Sequence, residues 1–99
     1  MTISAAQVNR TVRAIIRGRV QGVSFRYWAR SEADRLRLRG WICNRADGSV
    51  EAVFSGEAAE VDAMLEACLT GPPAARVRHI ETEPVDPAGL ADAFEVRLA

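Results

Sequence analysis

The sequence predicts an α+β sandwich of the split βαβ type, in which two helices cover one face of an antiparallel sheet of four to five strands. The first observation is the order of elements, because the spacing of apolar residues changes from the period of a strand to that of a helix and back. The second is the length of 99 residues, which allows one packed core. The third is a composition of 48% hydrophobic and 26% charged residues, which is typical of globular chains.

The first strand and the first helix are joined by a turn rich in glycine. Residues 11–17 alternate in polarity and predict the strand. Residues 18–22 follow, and the glycine at each end of this segment interrupts regular structure. From Phe25 to about Leu38 the apolar spacing is helical. Ser24 is the expected N-cap, since its hydroxyl can accept a hydrogen bond from an amide of the first turn.

A hairpin and a second helix come next. Residues 40–44 predict a strand, Asp47-Gly48 predicts a two-residue hairpin turn, and residues 49–54 predict the returning strand. Residues 57–69 carry apolar side chains at helical spacing, and the Gly-Pro-Pro segment at 71–73 ends that helix.

Two further strands complete the predicted sheet. Residues 77–85 alternate imperfectly, which indicates a β-bulge. After a loop over residues 86–92, the last strand places Phe94, Val96 and Leu98 toward the core. The complete order of strand, helix, hairpin, helix, strand and strand is that of a ferredoxin-like sandwich.

Charge and composition exclude several classes of function. Thirteen Lys and Arg, all of them arginine, balance thirteen Asp and Glu, so bulk electrostatic binding of nucleic acid or of an anionic membrane is not expected. Two cysteines and one histidine are too few for a disulfide framework or a structural zinc site. The single histidine also excludes a metal site built from several histidines.

The ends of the chain and its apolar segments bear on domain organisation. Residues 1–10 lack the apolar segment of a signal peptide, and we expect a flexible tail there and a single domain over residues 11–99. No apolar run approaches the ~20 residues of a membrane span. The expected protein is soluble and cytoplasmic. We also expect a monomer, because no apolar stripe remains once the core is assigned.

The glycine-rich turn is the best candidate site. Glycines at 18 and 22 permit backbone angles that turn successive N–H groups inward, and the helix N-terminus behind them favours an anion. Arg26 lies in the first helical turn, where a cation opposes the helix dipole. A bound phosphate would remove that conflict. The alternative is an ordinary turn with a solvent-exposed arginine; the spacing does not match a Walker loop.

Two blocks resemble the acylphosphatase family: Gly18-Arg19-Val20-Gln21-Gly22-Val23-Ser24-Phe25-Arg26, and Gly40-Trp41-Ile42-Cys43-Asn44-Arg45-Ala46-Asp47-Gly48-Ser49-Val50-Glu51. The resemblance extends over nearly the whole chain from Val12. It implies hydrolysis of acyl phosphates to a carboxylate and inorganic phosphate, with Arg26 and Asn44 as catalytic residues and without metal or cofactor. It further implies a phosphate cradle of main-chain amides, those of Arg19, Val20, Gln21, Gly22, Val23, Ser24, Phe25 and Arg26.

The residue types suit that chemistry. A carboxylate leaving group has a conjugate acid of pKa about 4 and departs without a general acid, so positioning and charge stabilisation remain as the main requirements. Arg26 and the amides would stabilise the phosphoryl oxygens, and Asn44 would orient the attacking water. One position departs from the family pattern: Arg37 stands where a glycine usually ends the first helix, which predicts strain if a left-handed cap is kept.

Two other functions share the predicted fold. The first is a catalytically silent regulatory or interaction domain. The second is an RNA-binding module, which needs aromatic residues on the open face of its central strands, whereas those positions are Arg13, Ile15, Glu51 and Val53.

We assign structural roles to the cysteines and the histidine, whose side chains could otherwise act in catalysis. Cys43 points away from the face of Asn44 and Cys68 lies on an apolar helix stripe, so both are expected to pack. His79 has no ligand partner at suitable spacing and is expected to be structural or exposed.

Overall fold

A computed structural model describes residues 9–98. The predicted flexible tail lies outside the described residues up to position 8, and the first strand begins two residues earlier than predicted, at Asn9. The elements in chain order are β1 (Asn9–Arg19), α1 (Phe25–Arg35), β2 (Arg39–Asn44), β3 (Val50–Glu57), α2 (Ala58–Thr70), β4 (Arg76–Pro84) and β5 (Phe94–Arg97).

The five strands form one sheet in the order β4-β1-β3-β2-β5. Strands β1, β2, β3 and β4 pair antiparallel, whereas β5 pairs parallel with β2. Helix α1 packs over β2 and β5, and α2 packs over β1, β3 and β4. The ferredoxin-like fold class is therefore confirmed, and the structure adds a parallel edge strand that makes the sheet mixed.

The core lies between the sheet and the two helices. Val12, Ala14 and Ile16 of β1 are fully buried there, as their alternation predicts. The helix stripe of Phe25, Ala29 and Ala33 is buried in the same core. These side chains hold the start of α1 in place beneath the glycine-rich turn. No helix among residues 9–98 is both long and apolar enough to cross a bilayer.

Helix α1 ends at Arg35, three residues before the predicted end at Leu38. Arg37 has φ 58°. The Arg37 amide donates to the Asp34 carbonyl at 3.1 Å, and the Leu38 amide donates to the Ala33 carbonyl at 2.9 Å. This pair of bonds is a Schellman cap. Arg37 keeps the left-handed conformation although it is not glycine, because the buried Leu38 that follows it fixes the path of the chain.

The β2–β3 connection is longer than the predicted two-residue turn. The Arg45 amide donates to the Ser49 carbonyl at 2.9 Å, and the Gly48 amide donates to the Arg45 carbonyl at 3.2 Å. The Asp47 carboxylate accepts from the Ser49 amide at 2.9 Å and from its hydroxyl at 2.5 Å. These bonds favour a three-residue loop. The Asp-Gly pair in the sequence does not by itself distinguish such a loop from a two-residue turn.

The last two strands confirm one prediction and correct another. The register of β1 with β4 shifts beside Arg17, which faces His79, whereas the next residue faces Val77. The predicted bulge is therefore present. Leu98 is 84% exposed rather than inward-facing, because the pairing of β5 with β2 ends at Arg97.

The open face of the sheet carries paired charges at the positions that an RNA-binding module would use for aromatics. Arg13 forms ion pairs with Glu51 and with Glu83, the latter at 3.0 Å. Ile15 and Val53, each 6% exposed, are buried on this side. The four positions therefore offer no stacking surface for bases.

Candidate active site

The segment between β1 and α1 has the geometry of an anion-binding loop. Gly22 and Ser24 have φ of 72° and 64°, whereas Val23 between them does not have a positive φ. Alternation of left-handed and ordinary residues turns successive main-chain N–H groups toward one side. This segment, residues 18–24, is called the glycine loop below.

Ser24 occupies the N-cap position of α1, but its hydroxyl does not cap the helix. A side-chain cap requires extended backbone angles, and Ser24 is left-handed with φ 64° and ψ 25°. Its carbonyl accepts the first helical bond, from the Trp28 amide at 3.0 Å. The predicted N-cap position is therefore confirmed, whereas the predicted capping bond from the Ser24 hydroxyl is absent.

Arg26 is the second residue of α1, and the first turn of that helix has no acidic residue. The guanidinium is half-buried and donates from Nη1 to the Arg97 carbonyl oxygen at 3.2 Å. That single bond leaves further donors of the guanidinium available. The cation therefore stands beside the positive end of the helix dipole, as the sequence predicts.

Asn44 is the last residue of β2, and its side chain reaches the same cavity as Arg26. The cavity has a volume of about 310 Å³. It is lined by Val20, Gly22, Ser24, Phe25, Arg26, Tyr27 and Asn44. The Asn44 Oδ1 atom is buried, and within residues 9–98 it has no hydrogen-bond partner. This amide oxygen is therefore enclosed by the protein as an acceptor without a partner.

Some of the predicted cradle residues do not line this cavity. Val20, Gly22, Ser24, Phe25 and Arg26 do, but three others do not. Those three are Arg19, which is exposed at the end of β1, Gln21, which is half-buried, and Val23, which packs against the core.

Two features of the site were not predicted from the sequence. The Gln21 side chain donates from Nε2 to the main-chain carbonyls of Arg45 and Ser49, both at 2.8 Å. Tyr27, 53% exposed, lies on the cavity wall. The only signal in the sequence for the Gln21 contacts is a polar side chain between Val20 and Gly22, because the partners of Gln21 are 24 and 28 residues away.

The two cysteines and the histidine take no part in the cavity. Cys43 is half-buried, and desolvation raises the pKa of its thiol. Burial raises the pKa of Cys68 to about 12, so its thiolate is not accessible at neutral pH. His79 is exposed on β4. Over the described part of the chain, no three His, Cys, Asp or Glu side chains cluster as metal ligands.

The chain is similar to known proteins over nearly its full length. The acylphosphatase family model matches residues 12–96. An acylphosphatase of Anaeromyxobacter dehalogenans is 53% identical over 86 residues, covering 87% of this chain and 92% of that protein. An acylphosphatase of Rubrobacter xylanophilus is 47% identical over 95 residues, covering 96% of this chain and 86% of that protein.

The fold also agrees with a solved structure. The crystal structure of acylphosphatase from Bacillus subtilis superposes with a TM-score of 0.84 at 35% identity, covering 91% of this chain and 99% of that one. The glycine loop, Arg26 and Asn44 all lie within the matched residues. With a family model and close relatives that match most of its length, this chain belongs to the acylphosphatase family.

Proposed function

We propose that this acylphosphatase hydrolyses the carboxyl–phosphate bond of acyl phosphates, with the phosphoryl group held by Arg26 and the glycine-loop amides and with the attacking water oriented by Asn44. The products are a carboxylate and inorganic phosphate. The observation that supports this assignment is that Arg26 and Asn44 line the same cavity of about 310 Å³ together with residues of the glycine loop.

Asn44 lines the cavity, and its side-chain amide can both donate and accept a hydrogen bond. A water held by this amide would keep a lone pair for phosphorus. Asn44 is neutral, so it orients the water without removing its proton. The proton passes to an oxygen of the substrate phosphate, because the cavity lining contains no carboxylate or histidine.

Arg26 and the loop amides supply charge stabilisation. Negative charge is spread over the three non-bridging phosphoryl oxygens during transfer. Preorganised donors aimed at those oxygens contribute about 2.7–4 kcal/mol each to transition-state stabilisation. The carboxylate then leaves as a stable anion, which is the reason we propose a reaction independent of metals and cofactors.

We propose in addition that the protein acts as a cytoplasmic monomer and binds neither nucleic acid nor membranes. Its zero net charge supports the absence of bulk attraction to polyanions. The pairing of Arg13 with Glu51 and Glu83 on the open sheet face supports it as well. The monomer is supported by the burial of the apolar helix stripes in the core.

Hydrolysis of benzoyl phosphate in the presence of EDTA tests the proposed reaction. We expect turnover by the wild type and a fall in kcat of about 100-fold or more in Arg26→Ala and in Asn44→Ala. Arg30→Ala, one helical turn further along α1 and exposed, is the matched control and should retain activity.

Two results would contradict the assignment. A wild type that binds phosphate but does not turn over the substrate would favour the silent regulatory or interaction domain. Full activity of the Arg26 or Asn44 variant would show that the cavity is not the site of reaction.

A further inference from the structure

The glycine loop is attached to the β2–β3 hairpin by one side chain. Gln21 Nε2 carries two hydrogens and donates to two carbonyl oxygens, those of Arg45 and Ser49, each at 2.8 Å. Both distances and the match of two hydrogens to two acceptors show that the NH2 group of this amide is fully used. The side chain therefore joins two segments more than twenty residues apart in sequence.

The hairpin that receives these bonds is itself rigidly held. The Arg45 and Ser49 carbonyls each accept a main-chain hydrogen bond from within the turn, at 3.2 and 2.9 Å, and Gln21 occupies the second acceptor position of each. The Asp47 carboxylate binds both the amide and the hydroxyl of Ser49. The loop is thus anchored to a turn that has little freedom to move.

The position of this anchor connects the two halves of the proposed site. Arg45 directly follows Asn44, and Gln21 directly precedes Gly22 of the cavity wall. We propose that Gln21 is a positioning residue, whose side chain sets the separation between the phosphate-binding loop and the water-orienting Asn44. This inference rests on the proposed function, and its side-chain role differs from the main-chain amide role predicted for the same residue.

Kinetics of Gln21→Met separate positioning from phosphate binding. Methionine has a similar length and no donor. The loop and Arg26 keep their own affinity for phosphate, whereas a displacement near 1 Å between reacting groups costs about 100-fold in rate. We expect kcat for benzoyl phosphate to fall at least about tenfold, while the inhibition constant of inorganic phosphate stays within about threefold. A smaller fall in kcat, or a matching rise in the inhibition constant, would overturn the proposal.

Gln21→Glu gives an independent readout. Its carboxylate faces two carbonyl oxygens and has no donor, but protonation restores one. The activity of this variant relative to wild type should therefore rise as the assay pH falls toward about 5, nearer the ordinary glutamate pKa of about 4.3. Asp47 remains ionised in that range because its pKa is about 2, so the hairpin is unchanged. A pH-independent ratio would count against a donor role.

Thr11→Val is the control for a purely structural effect. The Thr11 hydroxyl pairs with buried Ser55 at 2.6 Å, outside the cavity lining. We expect Thr11→Val to lower the melting temperature and to leave kcat unchanged. An equal loss of kcat in this variant would overturn the positioning role. An inactive wild type would instead refute the proposed function, whereas an active wild type with unimpaired Gln21→Met would refute only the Gln21 inference.

Discussion

Arg26 Nη1 donates to the main-chain carbonyl of Arg97 at 3.2 Å, which ties the first turn of α1 to the end of β5. Strand β5 pairs with β2, and β2 ends at Asn44. The guanidinium is therefore held by the strand next to the one that carries its proposed catalytic partner. A carbonyl acceptor uses one donor and brings no charge, and among residues 9–98 the Arg26 guanidinium forms no ion pair.

Arg26→Lys should not replace arginine in catalysis. An ammonium group can reach one acceptor, but it lacks the planar fork that holds two phosphoryl oxygens at once. We expect kcat for benzoyl phosphate to fall about 100-fold or more, with a change in unfolding free energy of about 1 kcal/mol or less, since one hydrogen bond is involved. Urea denaturation and steady-state kinetics measure the two quantities. The control is Arg35→Lys, at an exposed position at the end of α1, which should change neither quantity. A fully active Arg26→Lys would show that the planar guanidinium fork is not required.

Alanine at Gly18 and at Gly22 should have different effects, although both glycines have positive φ. A Cβ at Gly18 would lie 2.1 Å from the Arg76 carbonyl oxygen, whereas at Gly22 it would meet nothing within 4 Å. We expect Gly18→Ala to lose more than about 4 kcal/mol of stability or to fail to fold. Gly22→Ala should cost about 1–2 kcal/mol from backbone strain alone. Equal losses in urea denaturation would show that backbone strain, not the contact with β4, dominates at Gly18.

Arg37→Gly should stabilise the protein. A non-glycine residue in the left-handed region costs about 1–2 kcal/mol, and glycine removes that cost while adding about 0.4–1 kcal/mol of unfolded-state entropy. The expected net gain is about 0.5–1 kcal/mol in unfolding free energy. The same change at Arg30, inside α1 and exposed, should instead cost about 1 kcal/mol. If Arg37→Gly were less stable than the wild type, the arginine side chain would stabilise the protein by more than its left-handed backbone costs.

Stability should fall in acid as the hairpin turn loses its charge. The Ser49 hydroxyl and amide hold the pKa of Asp47 at about 2, below its ordinary 3.8. A carboxylate whose pKa is lower in the folded than in the unfolded protein stabilises the fold at pH values above its unfolded-state pKa. That stability is lost as the pH falls through its folded-state pKa. The advantage of wild type over Asp47→Asn should therefore be constant above about pH 5 and disappear between about pH 4 and pH 2. Urea midpoints across that range measure it, and an advantage that grows in acid would contradict the assignment.

The sequence by itself predicted the elements, and it indicated the two residues that we propose for the reaction. Alternation in β1 and the helical stripe of α1 follow from local spacing, because each reports which side of an element is buried. Arg26 and Asn44 were predicted from motifs that keep their residues within short segments. Both residues were therefore named from local signals, and their roles stay predictions.

Tertiary structure alone decided how distant segments meet. The parallel pairing of β5 with β2, the left-handed Ser24 and the contact of Gln21 with the hairpin carry no local periodicity. Each depends on where another part of the chain lies, and a hydrogen bond between residues 24 positions apart is specified by the packing of the core rather than by its own neighbours. The sequence thus named Arg26 and Asn44, but only the fold placed them on one cavity.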